Sequence, residues 1–293
     1  MPELPEVQIT VNGLNKTVRG RKIVEVWTSY NSSFYKNKEE IKNPAFFKKF
    51  ASKVVGQKIR KVERRAKNVL IHLSPRLGSG QAGGDTIIVH MKMTGHFVYD
   101  RPNTQFVRLD FKLDNKKHLV LSDMRKFAKV TLVKTSELEK SLHLEHLGPE
   151  PLEKNFQFGI FNFQLHKKRR GKIKQVLMDQ TLIAGIGNIY SDEILWKAGI
   201  HPLSVIDKIP GKNLRSAFKA MKEVLKKGIQ FGGDSMSDYR NIKGEKGKFQ
   251  DYHHAYQRTG KPCGKSGCRD KIKRMVIGAR SAHFCPTHQK LFQ

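Results

Sequence analysis

Short apolar or alternating runs dominate the first half of the chain. After an amphipathic stretch over residues 5–17, they fall at residues 23–27, 69–73, 86–91, 96–99, 108–113, 118–121 and 129–133, separated by Gly, Pro, Asn and Asp. Runs of this length between turn residues predict strands of an antiparallel sandwich or barrel. The pattern changes over residues 134–151, where Gly148-Pro149-Glu150-Pro151 punctuates the chain as a linker or domain boundary does. Apolar positions then recur every three or four residues over 173–179, 191–198 and 214–230. That period predicts helices that each bury one face. A loop rich in glycine and charge, residues 232–247, leads to a cysteine-bearing tail; no internal repeat and no long low-complexity segment interrupts the series.

Charge narrows the choice of partner. The 293 residues carry 56 basic side chains against 26 acidic ones, a formal charge of +30 that points to a polyanion. At roughly 150 residues per domain the length suggests about two domains. A hydrophobic content of 38% is enough for each to build a core, which excludes a wholly disordered chain. No run approaches the roughly 20 apolar residues of a membrane helix, and the start lacks the apolar centre of a secretory signal, so a soluble intracellular protein is expected. Ribosomal and histone-like proteins share such charge, so composition speaks for binding and says nothing of chemistry.

The three cysteines all lie at or beyond Cys263. Cys263, Cys268, Cys285 and His288 form a C-x4-C-x16-C-x2-H array, two close pairs that suit one tetrahedral zinc ion in a closed, structural site. His283 is an alternative fourth ligand, with His253 and His254 more remote. Between the pairs, residues 272–274 and 276–280 read as a hairpin displaying Arg274 and Arg280, whose guanidinium groups suit phosphate.

A second candidate anion site is Gly185-Ile186-Gly187-Asn188-Ile189-Tyr190, just before the helix expected near Ser191. Glycines there let the backbone approach an anion, and the amides of the helix start point at it. Lys167, Lys168, Arg169, Arg170, Lys172 and Lys174 concentrate positive charge immediately upstream. A solvated charged face or a nuclear-import signal are the other readings of that cluster.

At the amino terminus Met1 precedes Pro2, a small residue that permits removal of the methionine and leaves a secondary amine beside Glu3 and Glu6. Such an amine can attack an electrophilic carbon, and nearby carboxyls can move the protons the attack requires. An ordinary capped helix start is the competing reading.

Taken together, Pro2-Glu3-Leu4-Pro5-Glu6-Val7, the segment from Glu63 to Lys67, His90-Met91-Lys92-Met93-Thr94-Gly95, Asp123-Met124-Arg125-Lys126-Phe127, His146 to Leu152, Leu177 to Tyr190 and the tail resemble the bacterial formamidopyrimidine-DNA glycosylase family. They stand in the family's order over nearly the whole chain. The resemblance implies an α+β multidomain fold: an N-terminal antiparallel β-sandwich over residues 1–134, a linker over 135–153, a helical helix-two-turns-helix domain with a lesion-capping loop over 154–257, and a C-terminal zinc-finger β-hairpin over 258–293. DNA would lie in the cleft between the halves.

The implied activity is bifunctional base excision repair by a monomer acting on double-stranded DNA that carries oxidised bases or abasic sites. Pro2 would attack C1′ of a flipped nucleotide, with Glu3 as general acid and Glu6 orienting the amine or positioning water. Met93, Arg125 and Phe127 would fill the gap in the helix. Lys67, His90, Asn188 and Arg280 would clamp phosphates, Lys67 and Arg280 also serving the eliminations that cut the strand, while Arg170 and Lys174 would belong to the same basic surface. One structural Zn2+ would be bound. The chain departs from the family in using His288 for a fourth cysteine, in the wider first cysteine pair, in Lys126 for a common arginine, and in lacking a histidine near Thr104. The loop over residues 232–247 resembles the one that closes over 8-oxoguanine in the formamidopyrimidine branch, which implies a preference for oxidised purines, including 8-oxoguanine and formamidopyrimidines. An endonuclease VIII-like enzyme for oxidised pyrimidines and a non-catalytic binder of damaged DNA are the alternatives; the compartment would be bacterial cytoplasm or nucleoid, or a eukaryotic nucleus.

Overall fold

The first amphipathic stretch folds as helix α1 (Leu4–Thr17) in a computed structural model that describes residues 1–75, 83–101 and 103–293. Its start is a capping box: the Glu3 and Glu6 side chains each accept a backbone amide of the other end of the first turn, satisfying donors the helix leaves open. The chain forms two compact units, residues 1–145 with 232–248, and residues 146–231 with 249–293.

Among the described residues the first unit contains eight antiparallel strands: β1 (Ile23–Thr28), β2 (Ile59–Arg65), β3 (Asn68–Leu73), β4 (Asp85–His90), β5 (His96–Tyr99), β6 (Val107–Leu113), β7 (His118–Ser122) and β8 (Lys129–Lys134). They pair as two four-stranded sheets, ordered β1-β6-β7-β5 and β2-β3-β4-β8. Val69, Ile71, Leu73, Ile87 and Val89 from one sheet and Phe97, Leu109, Phe111, Leu119 and Leu121 from the other share a single core, completed by Val7, Val11 and Leu14 of α1. Successive side chains alternate between the two faces, the register shifting at bulges between Ile23 and Glu25, Ile59 and Lys61, and Val107 and Leu109. Each core side chain contributes about 1.5–3 kcal/mol on burial.

Two elements of this unit were not evident from pattern. Strand β2 reads Ile-Arg-Lys-Val-Glu-Arg-Arg and carries five charges because it is a sheet edge, where charge opposes pairing with other chains. Helix α2 (Pro44–Val54) starts at an Asn43 cap whose side chain accepts the Ala45 amide, and it buries only Phe50 and Val54.

In the second unit the expected helices are present as α4 (Ile173–Met178), α5 (Asn188–Ala198) and α6 (Gly211–Gln230), preceded by α3 (Phe158–His166), which the sequence reading missed. Helix α5 begins at Asn188, one turn before the expected start near Ser191. Its partner α6 approaches so closely that a Cβ at Gly228 would stand 2.5 Å from the Tyr190 hydroxyl, so only glycine fits there. The tail hairpin is formed by β9 (Lys273–Ile277) and β10 (Arg280–Phe284), with its turn at Gly278 and Ala279 and not near Met275. Both turn residues have positive φ, the conformation that two-residue hairpin turns need. Among the described residues no helix is long and apolar enough to cross a membrane.

The loop expected to belong to the helical domain packs instead within the first unit: residues 232–248 join it, with Ile242 in the sandwich core.

Candidate functional site

Around the amino terminus, Pro2, Glu3 and Glu6 are all buried. Glu6 is held at both carboxylate oxygens: Oε2 accepts the Glu3 amide at 2.8 Å, and Oε1 accepts the Asp234 amide at 2.8 Å. Its carbonyl oxygen accepts the hydroxyls of Thr10 at 2.9 Å and Tyr239 at 3.0 Å. Burial keeps the Tyr239 phenol protonated far above the usual range, which suits it to donate here. Gly233 sits against Glu6 with φ of 82°, where a Cβ would stand 3.0 Å from Oε1. The carboxylates that flank Pro2 are therefore tied to the 232–248 loop through Glu6.

Three strand ends of one sheet carry further basic residues, Lys67, His90 and Lys129. Lys67 is buried in the two-residue turn between β2 and β3, beside Ala66 at φ of 54°. His90 ends β4, opposite Asn68 on one side and Lys129 on the other. Burial, with Lys92 and Lys67 nearby, lowers the His90 pKa to about 3, so its ring is neutral at ordinary pH. Its Nδ1 accepts the Lys92 amide at 3.0 Å, which leaves Nε2 carrying the proton and able to donate to a phosphate.

Met93, Arg125 and Phe127 are exposed apolar and cationic groups on neighbouring loops, with the Arg125 guanidinium 4.7 Å over the Phe127 ring. Asp123, fully buried, ties these loops together. It accepts the Thr94 hydroxyl on one oxygen and the Ala128 amide at 2.7 Å on the other, while Thr94 Oγ1 in turn accepts the Arg125 amide at 3.1 Å. Neither Thr94 nor Asp123 was singled out from sequence, because a short polar side chain inside a motif carries no sign of which loop it will join.

In the second unit, Asn188 opens α5 after Gly187 in extended conformation and Gly185 at φ of 97°. The turn is organised by Gln180, whose amide donates to the Ile186 carbonyl at 2.7 Å and whose Oε1 accepts the Gly185 amide at 2.9 Å. Arg280 is exposed where the tail hairpin re-enters β10, whereas Arg274 is engaged by Ser281 Oγ at 2.8 Å. Arg170 is exposed; Arg169 pairs with Asp207 at 2.9 Å. Lys174 is a correction. It is 1% exposed and bonded to Asp192 and to Ser191 Oγ at 3.2 Å, so it does not belong to a basic surface. The helical period places it on the inner face of α4, and a buried ammonium needs the anion it finds there.

The three cysteine Sγ atoms lie within 4.8 Å of one another. Cys268 and Cys285 Sγ are 3.6 Å apart, and Cys263 Sγ is 3.6 Å from His288 Nδ1. Zinc bonds of about 2.3 Å to sulfur and 2.0 Å to nitrogen imply tetrahedral edges of about 3.8 Å between sulfurs and about 3.5 Å between sulfur and nitrogen. The three thiols are close enough to share one metal ion, and His288 Nδ1 stands beside them at Cys263. The Trp196 indole and the His288 amide each donate to a cysteine sulfur at 3.3 Å, as partners of metal-bound thiolates do. His283 faces elsewhere, with Nδ1 2.9 Å from Asp192.

Comparison with known proteins gives a consistent result. Residues 1–130 match the family model of the formamidopyrimidine-DNA glycosylase N-terminal domain, and residues 147–240 match that of the formamidopyrimidine-DNA glycosylase H2TH domain. The formamidopyrimidine-DNA glycosylase of Pelotomaculum thermopropionicum is 35% identical over 99% of this chain and 100% of its own length; that of Herpetosiphon aurantiacus is 36% identical over the same shares. The solved complex of the Lactococcus lactis enzyme with DNA containing an abasic site is 29% identical and superposes with a TM-score of 0.84, covering 98% of this chain and 99% of that one. A variant of the same enzyme bound to DNA containing Fapy-dG reaches 0.85.

Proposed function

This chain belongs to the formamidopyrimidine-DNA glycosylase family, and from that membership we propose that it excises oxidised purines from duplex DNA and then cuts the strand through a Schiff base on Pro2. The observation that carries the reading is the buried turn at the amino terminus, in which Glu3 and Glu6 flank Pro2 and Glu6 grips the Asp234 amide of the 232–248 loop.

A stacked nucleotide hides its C1′ atom, so the damaged one must leave the helix at a cost of roughly a few kcal/mol. Met93 and Phe127 supply an apolar wedge for the gap, and Arg125 a guanidinium for the orphaned base. Once Met1 is removed, the Pro2 nitrogen lone pair attacks C1′, the bond to the base breaks, and Glu3 protonates the sugar oxygen as the ring opens. The base leaves with its bonding electrons and takes up a proton. Loss of the amine proton gives an iminium between Pro2 and C1′.

The iminium acidifies the C2′ hydrogen. Its removal expels the 3′ phosphate, a second elimination expels the 5′ phosphate, and water then frees the amine. Lys67 and Arg280 serve these steps by neutralising the departing phosphates. His90, Asn188 and Arg170 hold the backbone by contacts that weaken with salt. Bound zinc would stabilise the small tail, and with four protein ligands its coordination is closed to substrate.

Borohydride reduction of the chain on a duplex containing 8-oxoguanine tests the reading. A covalent adduct on the amino-terminal residue is expected with the natural sequence and a weaker one with Pro2→Gly, which keeps an amine there but loses the ring; no adduct with either overturns the Schiff-base scheme. A panel of duplexes with oxidised purines and pyrimidines decides the substrate class, and faster excision of pyrimidines would refute the purine preference.

A further inference from the structure

Lys174, Asp192 and His283 form a buried polar chain inside the second unit, exposed by 1%, 1% and 5%. Asp192 Oδ1 accepts the Lys174 ammonium; Oδ2 accepts the His283 backbone amide at 3.0 Å and its ring Nδ1–H at 2.9 Å. One carboxylate thus joins three elements, α4, α5 and β10. Asp192 stands one helical turn after Asn188, and His283 three residues after Arg280 on a rigid two-stranded ribbon.

Two further contacts fix the same hairpin. Its turn lies against α4, where a Cβ at Gly278 would stand 2.3 Å from Gln175 Nε2. Next to Asp192, Glu193 accepts the amides of His254, Ala255 and Tyr256 at 2.8–2.9 Å, anchoring the segment that leads into the tail.

A buried ion pair is a poor means of gaining stability, since apolar residues of similar volume do as well or better. What it supplies is a defined geometry: a carboxylate accepts these donors only along particular directions. We propose that Asp192, braced by Lys174, is a positioning residue that locks the Arg280 hairpin onto the helix opening at Asn188, presenting two phosphate-binding groups at a set spacing. The inference rests on the reading of Asn188 and Arg280 as a phosphate clamp. It also gives Lys174 an indirect part in DNA binding in place of the direct contact expected from sequence.

The test uses the full, metal-loaded chain with the charge pair replaced by apolar groups, Lys174→Met together with Asp192→Leu, so that no lone charge is left buried. His283→Ala is the milder second variant, removing only the ring bond. Bound metal and melting temperature should be kept in both, while hydrogen exchange of the amides in β9 and β10 should quicken, more in the double variant.

Binding to a duplex carrying a tetrahydrofuran abasic analogue should lose about one unit of slope in log affinity against log salt, as when one phosphate contact is lost. The double variant should add nothing further once Arg280→Ala is present. Unchanged exchange in the hairpin overturns the brace. So does a loss of affinity that is the same with and without Arg280, since that is what general destabilisation would give. Should Arg280→Ala alone leave affinity and salt slope untouched, the clamp reading falls, and hydrogen exchange still decides whether Asp192 holds the hairpin.

Discussion

Glu6 and Asp234 are joined by a hydrogen bond of 2.8 Å from the Asp234 amide to Oε1, across more than two hundred residues of chain. The residue that helps define the amino-terminal turn therefore also holds the 232–248 loop, and order in the loop becomes a condition for order around Pro2.

Glu6→Gln should uncouple the two. A glutamine has one acceptor oxygen where glutamate has two, so either the Glu3 or the Asp234 amide faces an NH2 group and is left unsatisfied, at a cost of about 1–3 kcal/mol. Limited proteolysis should cut faster within residues 232–248, and single-turnover excision should slow by tenfold or more. A loop as protected as in the unaltered chain would contradict the coupling.

Asp123→Ala removes the acceptor shared by the Thr94 hydroxyl and the Ala128 amide, and with it the link between the Met93 and Arg125 loops. Stability should fall by about 1–3 kcal/mol. Affinity for lesion-containing duplex should fall more than affinity for undamaged duplex, because wedge insertion is needed only for the former. Thr94→Val should show the same bias more weakly. Equal losses on both duplexes, measured by titration, would assign Asp123 a stabilising part alone.

His90 bears on pH. Folded, it takes a proton only at about pH 3; unfolded, at its ordinary 6.5. Between those values the unfolded chain binds the extra proton, so His90 contributes stability above pH 6.5 that declines as pH falls toward 3. His90→Gln should flatten the fall in melting temperature across that window relative to the unaltered chain. Parallel curves would show that the imidazole is not excluded from protonation as its burial implies.

Chelation addresses the tail. With metal bound, the three thiols should react slowly with a thiol reagent; a strong chelator should expose all three and abolish binding to abasic-site DNA. The small cluster of Trp196, Ala255, Ile272 and the cysteines cannot hold the tail by burial alone. Zinc is the expected metal, at one ion per chain by elemental analysis. Thiols equally reactive before and after chelation would exclude a metal-held tail.

Much of this protein was legible before any coordinates. Short apolar or alternating runs between turn residues identified seven strands, because a strand that buries one or both faces leaves such a run. Spacings of three and four identified α4, α5 and α6 for the corresponding reason. The cysteines of the C-x4-C-x16-C-x2-H array do gather in the fold, because knuckles are local structures. Elements whose burial is small or irregular stayed hidden: the charged edge strand β2, the sparsely buried α2, and the aromatic α3, where five apolar residues in nine show no single face.

Local sequence by itself marked most of the strands and helices and the three clustered cysteines, since each depends on residues a few positions apart. Only the tertiary structure decided which of the basic residues are internal, which histidine stands at the thiolates, and which unit holds the 232–248 loop. Lys174 and Arg170 look alike in the chain; one meets a buried carboxylate from α5 and the other meets solvent. That difference arises from contacts across the fold, and the free energy of a charge is set by what surrounds it in space.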